Sequence, residues 1–178
     1  MAINYIKKYN ALLELNHLNE RDRLISLKAI FDRDIADNQD FTFNSKIIRP
    51  LKKEDKIDVE SLFKHLTYKT EEETDNKGKV IQTRDFFDFE RSKRLHWILP
   101  HIESKIPDVI NVFSAIRMRG QDVIRTYIHN TQEDYIVILE PQRSGQDYYF
   151  ITAYYLEKKY GGLKMIANKF KNKLDDVL

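Results

Sequence analysis

Thr152 and Tyr154 stand two positions apart in the run Tyr148-Tyr149-Phe150-Ile151-Thr152-Ala153-Tyr154-Tyr155-Leu156. Strand side chains alternate with period two, so the run predicts Thr152 and Tyr154 on one face and Ile151 and Ala153 on the other. A hydroxyl and a phenol side by side suit a polar cleft. The plainer alternative is a polar outer sheet face, where Thr and Tyr are good strand formers. Upstream, Arg91 and Arg94 stand three apart in Phe89-Glu90-Arg91-Ser92-Lys93-Arg94-Leu95-His96-Trp97-Ile98. On a helix that spacing puts both guanidinium groups on one face. Arginine donates parallel hydrogen bonds to phosphate, and histidine carries protons near neutral pH. A cationic helix before a hydroxyl-bearing strand points to phosphodiester handling. The alternative for the arginines is solvent, or pairing with Glu90 or Asp88. For His96 it is an ordinary surface position, and for His65 the favourable C-terminal end of a short helix. His101 and His129 are lesser candidates. Arg143, in a turn, reaches substrate or is merely exposed.

Metal-free RNA cleavage needs a base for the ribose 2′-hydroxyl, an acid for the leaving oxygen, and cations for the charge that builds on phosphate. His65 and His96 would move protons, Arg91 and Arg94 would clamp the phosphate, and Thr152 and Tyr154 would bond it or orient the nucleophile. Metal chemistry finds little footing. There is no cysteine, no helical His-Glu-x-x-His spacing, and no tight acid cluster beside a histidine. With five glycines there is no phosphate-cradling loop either. No metal or cofactor is expected.

These residues need a frame. At 178 residues the chain is one domain, or one domain with a helical extension. Its net charge of +2 makes it no general coater of nucleic acid, so any such contact must be local. The N-terminus lacks a signal-peptide core and no run reaches the length of a membrane span, which predicts a cytoplasmic protein without a membrane partner. Ile3–Leu18 and Glu20–Ala36 read as a helical hairpin, with Asn19 as N-cap between them. A helix capped by Asp58 follows, then a polar loop from Tyr68 to Arg84 with a short strand at Val80–Thr83. Asp88 caps a central helix running to about Ser104, which Pro100 kinks. Four strands come next, at Val109–Ile116, Val123–His129, Tyr135–Glu140 and Tyr148–Leu156. A basic C-terminal helix after Gly161-Gly162 carries Lys164, Lys169, Lys171 and Lys173, which either track an RNA backbone or, the preferred reading, form a solvated face. The boundaries follow: a helical extension over 1–57, a domain over 58–160 and a C-terminal helix over 161–178. The class is α+β, with a helix packed on a four-stranded antiparallel sheet and Leu95, Ile98, Ile136, Ile138 and Ile151 in one core.

The residues Arg84 to Ile98, with Tyr135 to Glu140 and Tyr148 to Leu156, resemble the barnase–EndoU–colicin–RelE class of small ribonucleases, in its phage-associated branch. The resemblance spans roughly His65 to Leu156. It implies that fold and a metal-independent endoribonuclease, a toxin or defence component of a phage or mobile element, with RNA as substrate and an inhibitor or antitoxin protein as partner. It adds Arg84 and Arg143 as substrate-binding residues to the catalytic set His65, Arg91, Arg94, His96, Thr152 and Tyr154. The rival readings are an inactive RNA- or protein-binding domain and a structural interaction protein.

Overall fold

A computed structural model of the chain describes residues 2–53, 56–74, 80–106, 109–119, 121–158 and 161–178. The elements run α1 (Ala2–Ile6), α2 (Glu20–Phe31), β1 (Thr42–Phe43), β2 (Lys46–Pro50), β3 (Lys52–Lys53), β4 (Lys56–Ile57), α3 (Val59–Thr67), β5 (Tyr68–Thr74), β6 (Val80–Phe87), α4 (Phe89–Ser92), α5 (Ile98–Ile102), β7 (Ile110–Arg119), β8 (Gln121–Asn130), β9 (Tyr135–Pro141), β10 (Asp147–Tyr155) and α6 (Gly162–Lys171). No helix among the described residues is long and apolar enough to cross a membrane.

The expected four-stranded antiparallel sheet is overturned. The main sheet has six strands in the order β1-β2-β10-β9-β8-β7. The four predicted strands form its antiparallel part, but β2 lies parallel to β10, from Ile47 opposite Asp147 to Pro50 opposite Phe150. The sheet is therefore mixed. Arg49 fixes this junction by an ion pair of its Nε to Asp147 at 2.7 Å. Pro50 ends the strand because proline brings no N–H to a ladder. The polar stretch read as a loop is instead a second hairpin, in which β5 and β6 pair from Tyr68–Phe87 to Thr74–Val80.

The helical hairpin is also overturned. Only Ala2–Ile6 of the first predicted helix is helical. Asn4 donates to the Glu14 carbonyl at 3.0 Å and accepts from its N–H at 2.8 Å, which turns the chain back. Leu13 and Leu15 are buried from this irregular segment, whereas Ile3 and Ile6 of the supposed stripe stay exposed. The central helix breaks into α4, a 3₁₀ turn over Leu95–Trp97, and α5. Pro100 explains the break: it has no N–H to give the His96 carbonyl and its ring would clash there, so it fits only the first turn of a new helix. Local capping came out as expected. Asn19, Asp58 and Asp88 accept from the N–H groups of Asp22, Ser61 and Arg91 at 2.9, 2.8 and 3.0 Å.

The sheet carries a core on each side. On the α2 side, Leu27, Ile30, Phe31, Leu95, Trp97 and Ile98 pack on Tyr135, Val137, Leu139, Phe150 and Ala153. Leu13, Phe41 and Ile48 belong to the same core, so residues before 58 and after 58 share it. On the α6 side, Phe113, Ala115, Tyr127, Ile136 and Ile138 pack on Leu156 and Ile166. The single predicted core is thus divided: Leu95 and Ile98 lie on one side, Ile136 and Ile138 on the other. A bulge between Phe150 and Thr152 makes Ile151 an extra residue in β10. It resets the alternation, so Phe150 and Ala153 share one core while Ile151 and Tyr154 pack against the other.

Candidate functional site

Position in the sheet decides which predicted residues meet. Beyond the bulge, Thr152 is opposite Ile138 and Tyr154 opposite Ile136. Both therefore face the α6 side, half-buried, as the alternation requires. From α4, Arg91 sits with its Cζ 5.7 Å from the Tyr154 ring centre. Its Nη1 donates to the His65 carbonyl at 2.7 Å, and its Nε lies 3.7 Å from Asp88. Arg91 so ties the last turn of α3 to β10, and brings His65, Arg91 and Tyr154 together.

The remaining candidates disperse. Arg94 lies beyond the end of α4, over the Tyr155 ring at 4.5 Å, with Nη1 bonded to the Glu90 carbonyl and carboxylate at 2.8 and 2.9 Å. The two arginines cover neighbouring rings whose directions alternate, and each is already engaged. The cleft of about 210 Å³ at Arg91 and Tyr154 is also lined by Asp88, Glu90 and Glu157, which makes it acidic overall. The His65 side chain lines a different cleft, with Leu62, Phe150 and Ile151. Arg143 is exposed in the β9–β10 turn. Arg84 lies on β6, and its side chain falls outside the described residues.

His96 lies deep in the protein, only 3% exposed. Burial drives its pKa down to about 4, opposed in part by the Ala11 and Lys8 carbonyls. Among the described residues neither ring nitrogen meets a hydrogen-bond partner of good geometry, so loss of hydration dominates. His101 is also pushed down to about 4 by burial. Its Nδ1 lies 2.6 Å from the Trp97 carbonyl, which only accepts, so Nδ1 carries the proton and Nε2 the lone pair. Asn130 Nδ2 donates to that Nε2 at 3.1 Å and to the Tyr9 hydroxyl at 2.8 Å. Asn130 Oδ1 accepts from the N–H groups of Gln132 and Glu133 at 3.1 and 3.0 Å, which fixes the amide's orientation. Both histidines serve the α2 side as neutral, buried groups.

Of the cations that do converge, the sequence reading misses Arg117 and Arg125, and weighs Lys169 as a backbone contact but prefers a solvated face. The register puts Arg117 on β7, and Arg125 and Tyr127 on β8, on the same α6-side face as Tyr154. From α6, Lys169 reaches over the Tyr127 ring at 5.5 Å. Burial lowers the Lys169 pKa, and the nearby Arg117 and Arg125 charges lower it further. Burial raises the Tyr154 and Tyr127 hydroxyls, with Arg125 opposing both shifts. Against this cluster stands Glu140, 3.4 Å from Arg125 Nε. The available signal is the strand alternation itself: Arg125 and Tyr127 share parity within the predicted strand Val123–His129.

Beside these cations a cleft of about 850 Å³ opens between α6 and the β7–β8 pair. Ala115, Ile116 and Met165 form its apolar wall, and Lys164, Asn168, Lys169 and Asn172 its polar one, with Asp122 as its acidic side chain. Among the described residues, no three His, Asp or Glu side chains gather as a metal site would require. Comparison with protein-family models, curated proteins and solved structures returned no match.

Proposed function

We propose that this chain is an RNA-binding protein that holds phosphates along the α6 side of its sheet. The observation that carries the reading is the convergence of Arg117, Arg125 and Lys169 on one face, where Glu140 pairs with Arg125 alone. Like charges held together destabilise the free protein, and a polyanion relieves them. The local character of the cluster agrees with a chain whose net charge is only +2. RNA is the polyanion suggested by the resemblance of the central helix and last strand to small ribonucleases.

Binding, not cleavage, is the function the geometry supports best. Acid–base cleavage needs a proton carrier within reach of the phosphate seat. His96 and His101 are held neutral on the α2 side and His65 faces another cleft, while His129, which its pairing with Ile136 puts on the α6-side face, is half-buried, lowered in pKa by burial, and four strand positions from Arg125.

The test is fluorescence anisotropy with labelled single-stranded RNA over a range of salt. The affinity should fall with salt, with a slope of about −0.7 per phosphate contact. Lys169→Glu and Arg117→Glu should each weaken binding while Arg143→Glu should not. Equal affinity in all three variants would remove the face from the model. Cleavage in EDTA that leaves 2′,3′-cyclic phosphate ends would return the protein to the catalytic reading.

A further inference from the structure

We infer that the cleft between α6 and the β7–β8 pair is a seat for one nucleoside phosphate, its base on Ala115, Ile116 and Met165 and its phosphate toward Lys169 and Arg117. This deepens the RNA reading and rests on it.

Three parts of the cleft match three parts of such a ligand. First, its volume of about 850 Å³ falls within the ~300–1,000 Å³ typical of small-molecule sites. Ile116 on the strand wall and Met165 on the helix wall are each 45% exposed. Two large apolar side chains thus stay wet across one cleft, although α6 buries Ile166 a single position away. A base supplies a flat apolar surface for that wall, and methionine adapts to such surfaces readily. Second, the Asn168 and Asn172 side chains line the cleft. Asn172 Nδ2 is spent on the Asn168 carbonyl at 2.8 Å, which leaves its Oδ1 as an acceptor. The Asn168 amide has both its donor and acceptor available among the described residues. Amides of this kind match the polar edges of unpaired bases. Third, Lys169 has no carboxylate partner among the described residues, and Arg117 and Arg125 crowd it. A phosphate there would neutralise the cluster. An acyl-chain anion would use the apolar wall but leave both amides unmatched. A duplex would hide its base edges and apolar faces, so the seat selects an unpaired nucleotide.

The ligand's source is either a free nucleotide or a residue within a strand. The full chain is titrated by calorimetry with AMP, UMP, ribose 5-phosphate and inorganic phosphate, and each is set to displace labelled single-stranded RNA. Both nucleotides should bind about tenfold more tightly than ribose 5-phosphate, as removing one apolar base face from water contributes. Met165→Glu should erase that difference, and Lys169→Met should weaken all four ligands. Thermal melting of each variant verifies the fold, and Met165→Ala serves as a gentler substitute where Met165→Glu melts early. Tighter binding of the oligonucleotide than of AMP identifies the strand as the source, and the reverse identifies the free nucleotide. Equal binding of ribose 5-phosphate and AMP overturns the seat, as does nucleotide affinity unchanged in the Met165 variants. If RNA still binds in that case, the RNA reading survives alone. If AMP binds at Met165 but RNA does not bind at all, the RNA reading is the one that fails.

Discussion

The two sides of the sheet treat ionisable groups in opposite ways. On the α2 side, hydrogen bonds run in a chain from the Trp97 carbonyl through His101 and Asn130 to the Tyr9 hydroxyl. Trp97 seals it, its ring edge-on to Tyr9 at 5.1 Å and its Nε1 bonded to the Ala11 carbonyl at 3.2 Å. On the α6 side, Arg117, Arg125 and Lys169 share a surface with too few acids. Buried neutral networks secure a fold, because leaving one member unmatched is costly. Clustered cations without partners cost stability and gain it back only from a ligand. A histidine or arginine in the sequence therefore says little until its side of the sheet is known.

The sharpest way to break this contrast is to remove Trp97. Trp97→Ala should cost about 3–5 kcal/mol in urea unfolding, as large-to-small core changes do. A loss below about 1 kcal/mol would mean that the N-terminal segment is not anchored there.

Acid tests the same side next. His96 and His101 have folded pKa values of about 4 against about 6.5 unfolded. The unfolded chain binds more protons between these values, so stability is full above pH ~6.5 and falls as pH drops toward 4. His129, also lowered by burial, acts in the same direction. Glu90, held down by Arg94, loses its contribution only at still lower pH. Together the histidines should withdraw on the order of a few kcal/mol. Urea midpoints measured at pH 7 and pH 5 should differ clearly in the native chain and less in His96→Gln or His101→Gln. A flat profile would show that neither ring is buried.

Asn130→Ala should cost about 2–3 kcal/mol, because it leaves His101 Nε2 and two turn N–H groups without partners. Asn130→Asp offers the turn an acceptor but no donor to His101, and should recover only part of the loss. Full recovery in Asn130→Asp would place the whole cost in the turn.

The smallest effect on stability belongs to the other side. Lys169→Met should leave stability within about 0.5 kcal/mol, or raise it, since it relieves repulsion from Arg117 and Arg125. RNA affinity should fall in the same variant, with a salt slope shallower by about one phosphate contact. A protein destabilised as strongly as Asn130→Ala would sink the contrast between the two sides.

What the sequence disclosed was local. A cap is legible because the side-chain oxygen and the N–H it serves lie within three residues, as at Asn19, Asp58 and Asp88. The antiparallel strands were legible from alternation, and Thr152 and Tyr154 do share a face. The parity rule held for them yet failed for Ile151, since one extra residue has no compositional mark. Pro100 was noticed, but as a kink rather than a break that restarts the helix. The parallel β2 had no readable partner, because β10 lies at the far end of the chain. That Arg117 and Arg125 meet Lys169 is illegible for the same reason: they come together only after two strands and a helix have folded. His96 is a catalytic candidate or a surface histidine from sequence and neither reading gives its burial, because nothing nearby in sequence announces the N-terminal segment that covers it.

The parallel pairing of β2 with β10 sets a clock on synthesis. Arg49 and Asp147 are 98 residues apart. At roughly 5–20 residues per second, a ribosome takes about 5–20 s to deliver the second partner after the first. For that interval Lys46–Pro50 has only the two-residue β1 beside it, and the core under Ile48 lacks its sheet. Chains arrested before β10 should therefore be cut readily by protease around β2, while the finished protein resists. A newborn chain of this kind depends on whatever shields its exposed strand until its last third has emerged.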